Sequence, residues 1–197
     1  MLNRNPLALL LATTALLLSG CVTHITSNVY QNPPPAEKFS NFNRFEVTPA
    51  RMPPPYAGQS TNEAALRKIQ QNIDLRLDPS LHAWNETPLP AHPRTLRVEV
   101  TVPEIKFISG GHRVWGWWYA GSSAVKLHAR IAEKETGKVI AEPEFYARAA
   151  AMGGAFTFGG TDNAMLVRIA NRLTSYLLAN YPAAVGGPTG AEPPDEK

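Results

Sequence analysis

Apolar and polar residues alternate most regularly between Thr95 and Ser109. Leu96, Val98, Val100 and Val102 interleave with Arg97, Glu99 and Thr101, the two-residue period of a strand with one face buried and one face wet. At Pro103 the phase shifts, because Ile105 and Phe107 continue the apolar set on odd numbers. A bulge at Pro103-Glu104 accounts for the shift, and proline is tolerated at such a position. Val125, Leu127, Ala129 and Ile131, opposed by Lys126, His128 and Arg130, predict a further strand. Glu135-Thr136-Gly137-Lys138 reads as a turn, and Val139 to Ala149 as the strand after it. Phe42 to Thr48 predicts a short first strand, followed by a loop that carries Pro49 and Pro53-Pro54-Pro55.

Two stretches change period from two to between three and four. Ser60 and Glu63 have capping-box spacing, and Leu66, Ile69, Ile73 and Leu77 then define one buried helical face. Asp78-Pro79 is expected to stop that helix and to cap a short continuation through Leu81 and Trp84. Thr161 to Tyr181 predicts a second helix, with Met165, Leu166, Ile169, Leu173, Tyr176 and Leu177 on one face and Arg168 and Arg172 on the other. The order β-α-β-β-β-α implies an α+β fold, a four-stranded mixed sheet with two helices packed on it, within a single domain over residues 39–181.

The two ends of the chain read differently. Met1 to Asn5 carries one basic side chain, Arg4, and Leu7 to Leu18 (LALLLATTALLL) is an apolar run too short to span a bilayer. Leu18-Ser19-Gly20-Cys21 follows and resembles the lipobox of bacterial lipoproteins. There the cysteine thiol takes a diacylglyceryl group and the chain is cut before it. An ordinary signal peptide with a chance cysteine at its cleavage point is the alternative. Cys21 is the one cysteine of the chain, whereas exported domains normally pair theirs. The expected division is a signal peptide over residues 1–20, a lipidated Cys21 and Pro-containing tether over 21–38, and a disordered tail over 182–197. Val22, where aspartate would favour inner-membrane retention, implies attachment to the outer membrane, facing the periplasm. In this reading the Cys21 lipid anchor makes the membrane a partner.

Net charge limits the remaining partners. The +3 of the whole chain falls by one, to +2, without Arg4, and no Lys/Arg run forms a stripe for a polyanion. Nucleic acid is not expected.

Two glycine-rich segments interrupt the pattern. Gly110 to Ser123 (GGHRVWGWWYAGSS) holds three of the four tryptophans, and Met152 to Gly160 (MGGAFTFGG) feeds the second helix. If the last three strands form a meander, both segments leave from one sheet end. Arg113, Trp115, Trp117, Trp118, Tyr119, Phe156 and Phe158 are then the candidate partner surface. Four readings stay open: a mini-core over the sheet end, a protein interface with aromatic anchors, contact with lipid headgroups, or a small anion at the helix start near Asp162. A segment of about 14 residues is too short for a bilayer-spanning hairpin, whose strands need about 9–11 residues each.

Catalytic signatures are missing from the pattern. His24, His82, His92, His112 and His128 have no metal-ligand spacing. Ser122-Ser123 lacks a nucleophile-elbow context, and no phosphate-loop motif occurs. Asp162 with His112 is more readily a capping residue beside an unrelated histidine than an acid/base pair. No catalytic residue, metal or cofactor is expected.

Gly110 to Glu142 (GGHRVWGWWYAGSSAVKLHARIAEKETGKVIAE) resembles a family of small proteobacterial outer-membrane lipoproteins built around a domain of unknown function. The match includes Arg113, Gly116, Gly121, Glu133 or Glu135, Thr136 and Gly137. The order of elements is also similar to the periplasmic domain of curli-secretion and penicillin-binding-protein-activator lipoproteins, at the level of fold. These resemblances imply a non-enzymatic module that binds envelope proteins or self-associates. A hydrolase or sugar-binding protein acting on envelope polysaccharide is the rival class.

Overall fold

The structure is a computed structural model describing residues 25–107, 122–149 and 160–192. Its elements are β1 (Gln31–Asn32), a 3-10 turn (Phe39–Asn41), β2 (Arg44–Val47), α1 (Ser60–Asn85), β3 (Thr95–Lys106), β4 (Ala124–Glu133), β5 (Val139–Ala141), β6 (Glu144–Arg148), α2 (Gly160–Asn180) and β7 (Gly187–Pro188). The main sheet has five strands, not the four expected. β2 runs parallel to β3, β3 antiparallel to β4, and both β5 and β6 pair antiparallel with β4. The stretch read as one strand, Val139 to Ala149, is broken at Glu142-Pro143. Proline has no N–H for the ladder, although the Pro143 carbonyl still accepts from the Ala129 N–H at 3.0 Å.

The strand periods hold. Leu96, Val98, Val100 and Val102 are buried on one face of β3, and the register slips between Thr101 and Glu104, after which Ile105 is buried. The bulge therefore lies where the phase of the sequence changes. Both helices lie on this apolar face, with Ile69, Ile73 and Leu77 of α1 and Met165, Ile169 and Leu173 of α2 in one core with Val100, Leu127 and Ile131. Leu66, expected in that core, sits only partly buried at its rim. Asn62, Ala65 and Asn72 are buried on α1 instead. The opposite sheet face carries ion pairs: Arg97 to Glu46 at 3.2 Å, Lys126 to Glu104 at 3.2 Å and Arg130 to Glu99 at 3.6 Å.

Helix α1 departs from expectation at both ends. The Glu63 carboxylate accepts from the Gly58 N–H at 2.9 Å rather than from Ser60, and Gln59 is the N-cap. At the other end α1 runs through Pro79 without a break. A proline inside a helix costs about 3 kcal/mol, and tertiary contacts of the last turns offset it. Trp84 stacks on Tyr181 with ring centroids 4.2 Å apart and meets Phe45 at 4.9 Å. The Asn85 side chain bonds both the N–H (2.8 Å) and the carbonyl (3.1 Å) of Phe45.

The expected tether and tail are the largest corrections. From Ile25 onward the N-terminal segment is packed on the domain, and β1 pairs antiparallel with β7. Asn32 donates to the Glu144 carbonyl and accepts from the Glu144 N–H, each at 2.9 Å, and this clamps β1 to β6. The Tyr146 N–H donates to Thr189, whose own N–H donates to Tyr30. Residues 25–32 and 185–190 thus cover the outer edge of β6, a row of groups that would otherwise be free to pair with another chain.

Candidate functional site

Cys21 and the aromatic set Arg113, Trp115, Trp117, Trp118, Tyr119, Phe156 and Phe158 lie outside the described residues. The residues that bracket them are described. Lys106, at the end of β3, is in register with Ala124 at the start of β4, and Ala124 with Arg148 at the end of β6. The Ala149 N–H donates to the Ser123 carbonyl at 2.8 Å. The roots of both glycine-rich segments therefore meet at one sheet end, as the meander implies.

The start of the described chain reaches the same end. Ile25 is buried, and its carbonyl accepts from the Tyr146 hydroxyl at 3.2 Å, two residues before Arg148. Thr26 and Ser27 line one wall of a cavity of about 690 Å³ whose other walls include Ser122, Tyr146, Arg148, Arg168, Arg172 and Glu192. Arg168 and Arg172 also border a second cavity, of about 580 Å³, beneath residues 185–188.

The sequence pattern puts these arginines on the polar face of a helix. The structure sets them between α2 and the C-terminal segment. The Arg168 guanidinium donates to the Arg148 carbonyl at 2.7 Å. Arg172 packs against Gly190, where an added Cβ would fall 2.1 Å from its guanidinium. Among the described residues, the buried Arg172 Nε and the buried Ser122 hydroxyl have no hydrogen-bond partner. Burial, and then the nearby Arg168 charge, hold Arg172 below the ordinary arginine range, with Glu192 acting weakly the other way. Burial also pushes the Tyr146 phenol up. The one sequence signal for this cluster was the four-residue spacing of two like charges on a helix, an arrangement that is mildly unfavourable unless something lies between them.

A second charged cluster is structural. Arg94 forks onto Glu37, with 2.9 Å bonds from two of its nitrogens, and its Nε donates to Glu133. Its guanidinium lies 4.3 Å from the Phe42 ring centroid, within cation–π range. The Arg94 bonds hold the Glu37 carboxyl at about 2 against an ordinary 4.5. The Thr136 hydroxyl, and then Arg94, lower Glu133 as well. Thr136 donates to Glu133 at 2.6 Å, Glu135 accepts from the Thr95 N–H at 3.0 Å, and Gly137 has φ +72°. The turn residues of the family resemblance thus hold the fold together. Among the described residues, no group of three or more His, Cys, Asp or Glu side chains is placed to hold a metal ion.

No family model and no curated protein matches the chain. Solved structures similar to it include a PelC dodecamer from Paraburkholderia phytofirmans, 11% identical, covering 78% of this chain and 95% of that one with a TM-score of 0.39. A DUF330 protein from Xanthomonas campestris is 10% identical over 81% of this chain and 94% of its own, with a TM-score of 0.41. A minor lipoprotein from Acinetobacter baumannii is 10% identical over 75% and 98%, with a TM-score of 0.35.

Proposed function

We propose that this chain is a lipoprotein held through Cys21 on the periplasmic face of the outer membrane, where it acts as a non-enzymatic docking or assembly module. The observation that carries the reading is the convergence on one sheet end. Phe107, Ser122 and Ala149, where the aromatic segments begin or end, share that end with Ile25. Three residues separate Ile25 from Cys21, and the four Cα steps between them span at most about 14 Å when extended. A lipid on Cys21 therefore holds this end of the domain close to the bilayer, not on the long tether expected from Thr23 to Lys38. The aromatic segments present Trp117 and Trp118 to an envelope protein or a second copy of the chain. The same closeness to the bilayer favours the headgroup layer as a second reading.

Two measurements test this. Labelled palmitate should enter the wild type and not Cys21→Ser, and the variant should leave the membrane fraction; a variant that stays there sinks the anchor. Crosslinking in intact cells should capture partners, or a second copy, that are lost when Trp117 and Trp118 are both changed to Ala. Every partner retained together with a drop in folding stability would show that the rings are a mini-core.

A further inference from the structure

We infer that Arg148, Arg168 and Arg172, with the Ser122 hydroxyl, form a binding site for a phosphate-type oxyanion, which no reading of the sequence assigned. Three arginines line one cavity, and among the described residues none of the three makes an ion pair with a carboxylate. Arg168 spends one bond on a backbone carbonyl. The Arg172 Nε and the Ser122 hydroxyl are buried donors without partners among the described residues, and leaving such a group unpaired costs about 1–3 kcal/mol. A tetrahedral oxyanion in the cavity gives both a partner once the Ser122 hydroxyl and the Arg172 guanidinium turn towards it. It accepts from several guanidinium forks at once and from a hydroxyl, with the bidentate geometry in which arginine surpasses lysine. It also screens the Arg168–Arg172 repulsion. Gly190 fits this arrangement, because any side chain there would displace the Arg172 guanidinium. Among the described residues, Glu192 is the one carboxylate that lines this cavity, and it competes with the ligand.

Phosphate of this kind has two sources, a phospholipid headgroup and soluble phosphate. The first rests on the proposed anchor, which brings this cavity to the bilayer surface; the second does not. The test uses the full chain in neutral detergent and follows the Arg172 Nε–H resonance. One arm adds inorganic phosphate, the other glycerophosphoglycerol, which is the diester headgroup of an anionic phospholipid without its acyl chains. A saturable shift is expected with at least one of them. It should weaken roughly tenfold or more in Arg148→Gln/Arg168→Gln, the loss expected for removing charge-assisted bonds, and strengthen in Glu192→Gln. Arg148 is exposed at a strand end, so a second variant, Arg148→Gln alone, should keep the wild-type Tm without ligand and weaken binding in the same direction. Preference for the diester assigns a lipid headgroup, and preference for inorganic phosphate assigns a soluble ligand. No saturable shift with either probe, or a shift that the Gln variants leave unchanged, overturns the site. Neither outcome depends on acylation of Cys21, so failure here and failure of the anchor are distinguishable.

Discussion

Asn180 shows how much one polar side chain can organise. It is fully buried at the end of α2, donates to the carbonyls of Tyr176 (2.8 Å) and Gly186 (3.0 Å), and accepts from the N–H groups of Val185 and Gly186. The turn beyond it needs Gly186, whose φ is +73° and whose added Cβ would lie 2.4 Å from the Asn32 carbonyl oxygen. Asn180→Ala should therefore cost about 2–4 kcal/mol, since it leaves buried backbone groups unpaired. Gly186→Ala should cost about 1–3 kcal/mol through strain and the clash with β1. Denaturant unfolding of both variants measures this; wild-type stability in either would mean that residues 185–190 do not hold to β1 and β6.

Among the elements, α2 and the Arg94 cluster carry the clearest expectations. Ile169 and Leu173 are fully buried in the core that α2 shares with α1 and the sheet, and truncating either to Ala should cost about 2–5 kcal/mol. Arg94 joins the N-terminal segment, through Glu37, to the β4–β5 turn, through Glu133. Because the folded Glu37 carboxyl titrates at about 2 against 4.5 when free, the folded state holds its proton more weakly than the unfolded chain. The stabilisation is complete above about pH 4.5 and is lost as the pH falls towards about 2. Arg94→Gln should cost about 1–2 kcal/mol near neutrality, since the guanidinium is partly exposed. It should also flatten the fall in stability between those pH values. Urea unfolding followed by circular dichroism across that range checks both effects, and parallel pH profiles for the variant and the wild type would count against the pair.

For the molecule as a whole, the two ends of the domain divide the work. Trp84, Tyr181 and Phe45 pack together where α1 and α2 finish. The opposite sheet end gathers Ile25, the roots of the aromatic segments and the three arginines. Residues 185–190 cover the β6 edge between these ends. Removing residues 185–197 should lower Tm and uncover that edge, so the shortened chain should self-associate on size-exclusion chromatography where the full chain does not change its state. An unchanged Tm would mean that the C-terminal segment is dispensable for the fold.

The sequence by itself determined the helices, the faces of β3 and β4, the bulge near Pro103 and the turn at Gly137. Each is written in a local period or a local backbone requirement: apolar residues every second or every third to fourth position, a proline that shifts the phase, a glycine at positive φ. The same local logic brought the roots of the aromatic segments to one sheet end, because successive antiparallel strands leave alternately from opposite ends of a sheet. Only the tertiary structure decided the rest. Residues 25–38 and 185–192 are polar, proline- and glycine-rich and without period, and so read as tether and tail. Their bonds run to partners 112, 121 and 160 positions away, from Asn32 to Glu144, Tyr146 to Ile25 and Thr189 to Val29. The arginine cavity is hidden from the sequence for the same reason. Its members come from β6, α2 and the residues just before β4, and a cation on a helix face looks solvated until the chain folding over it is known.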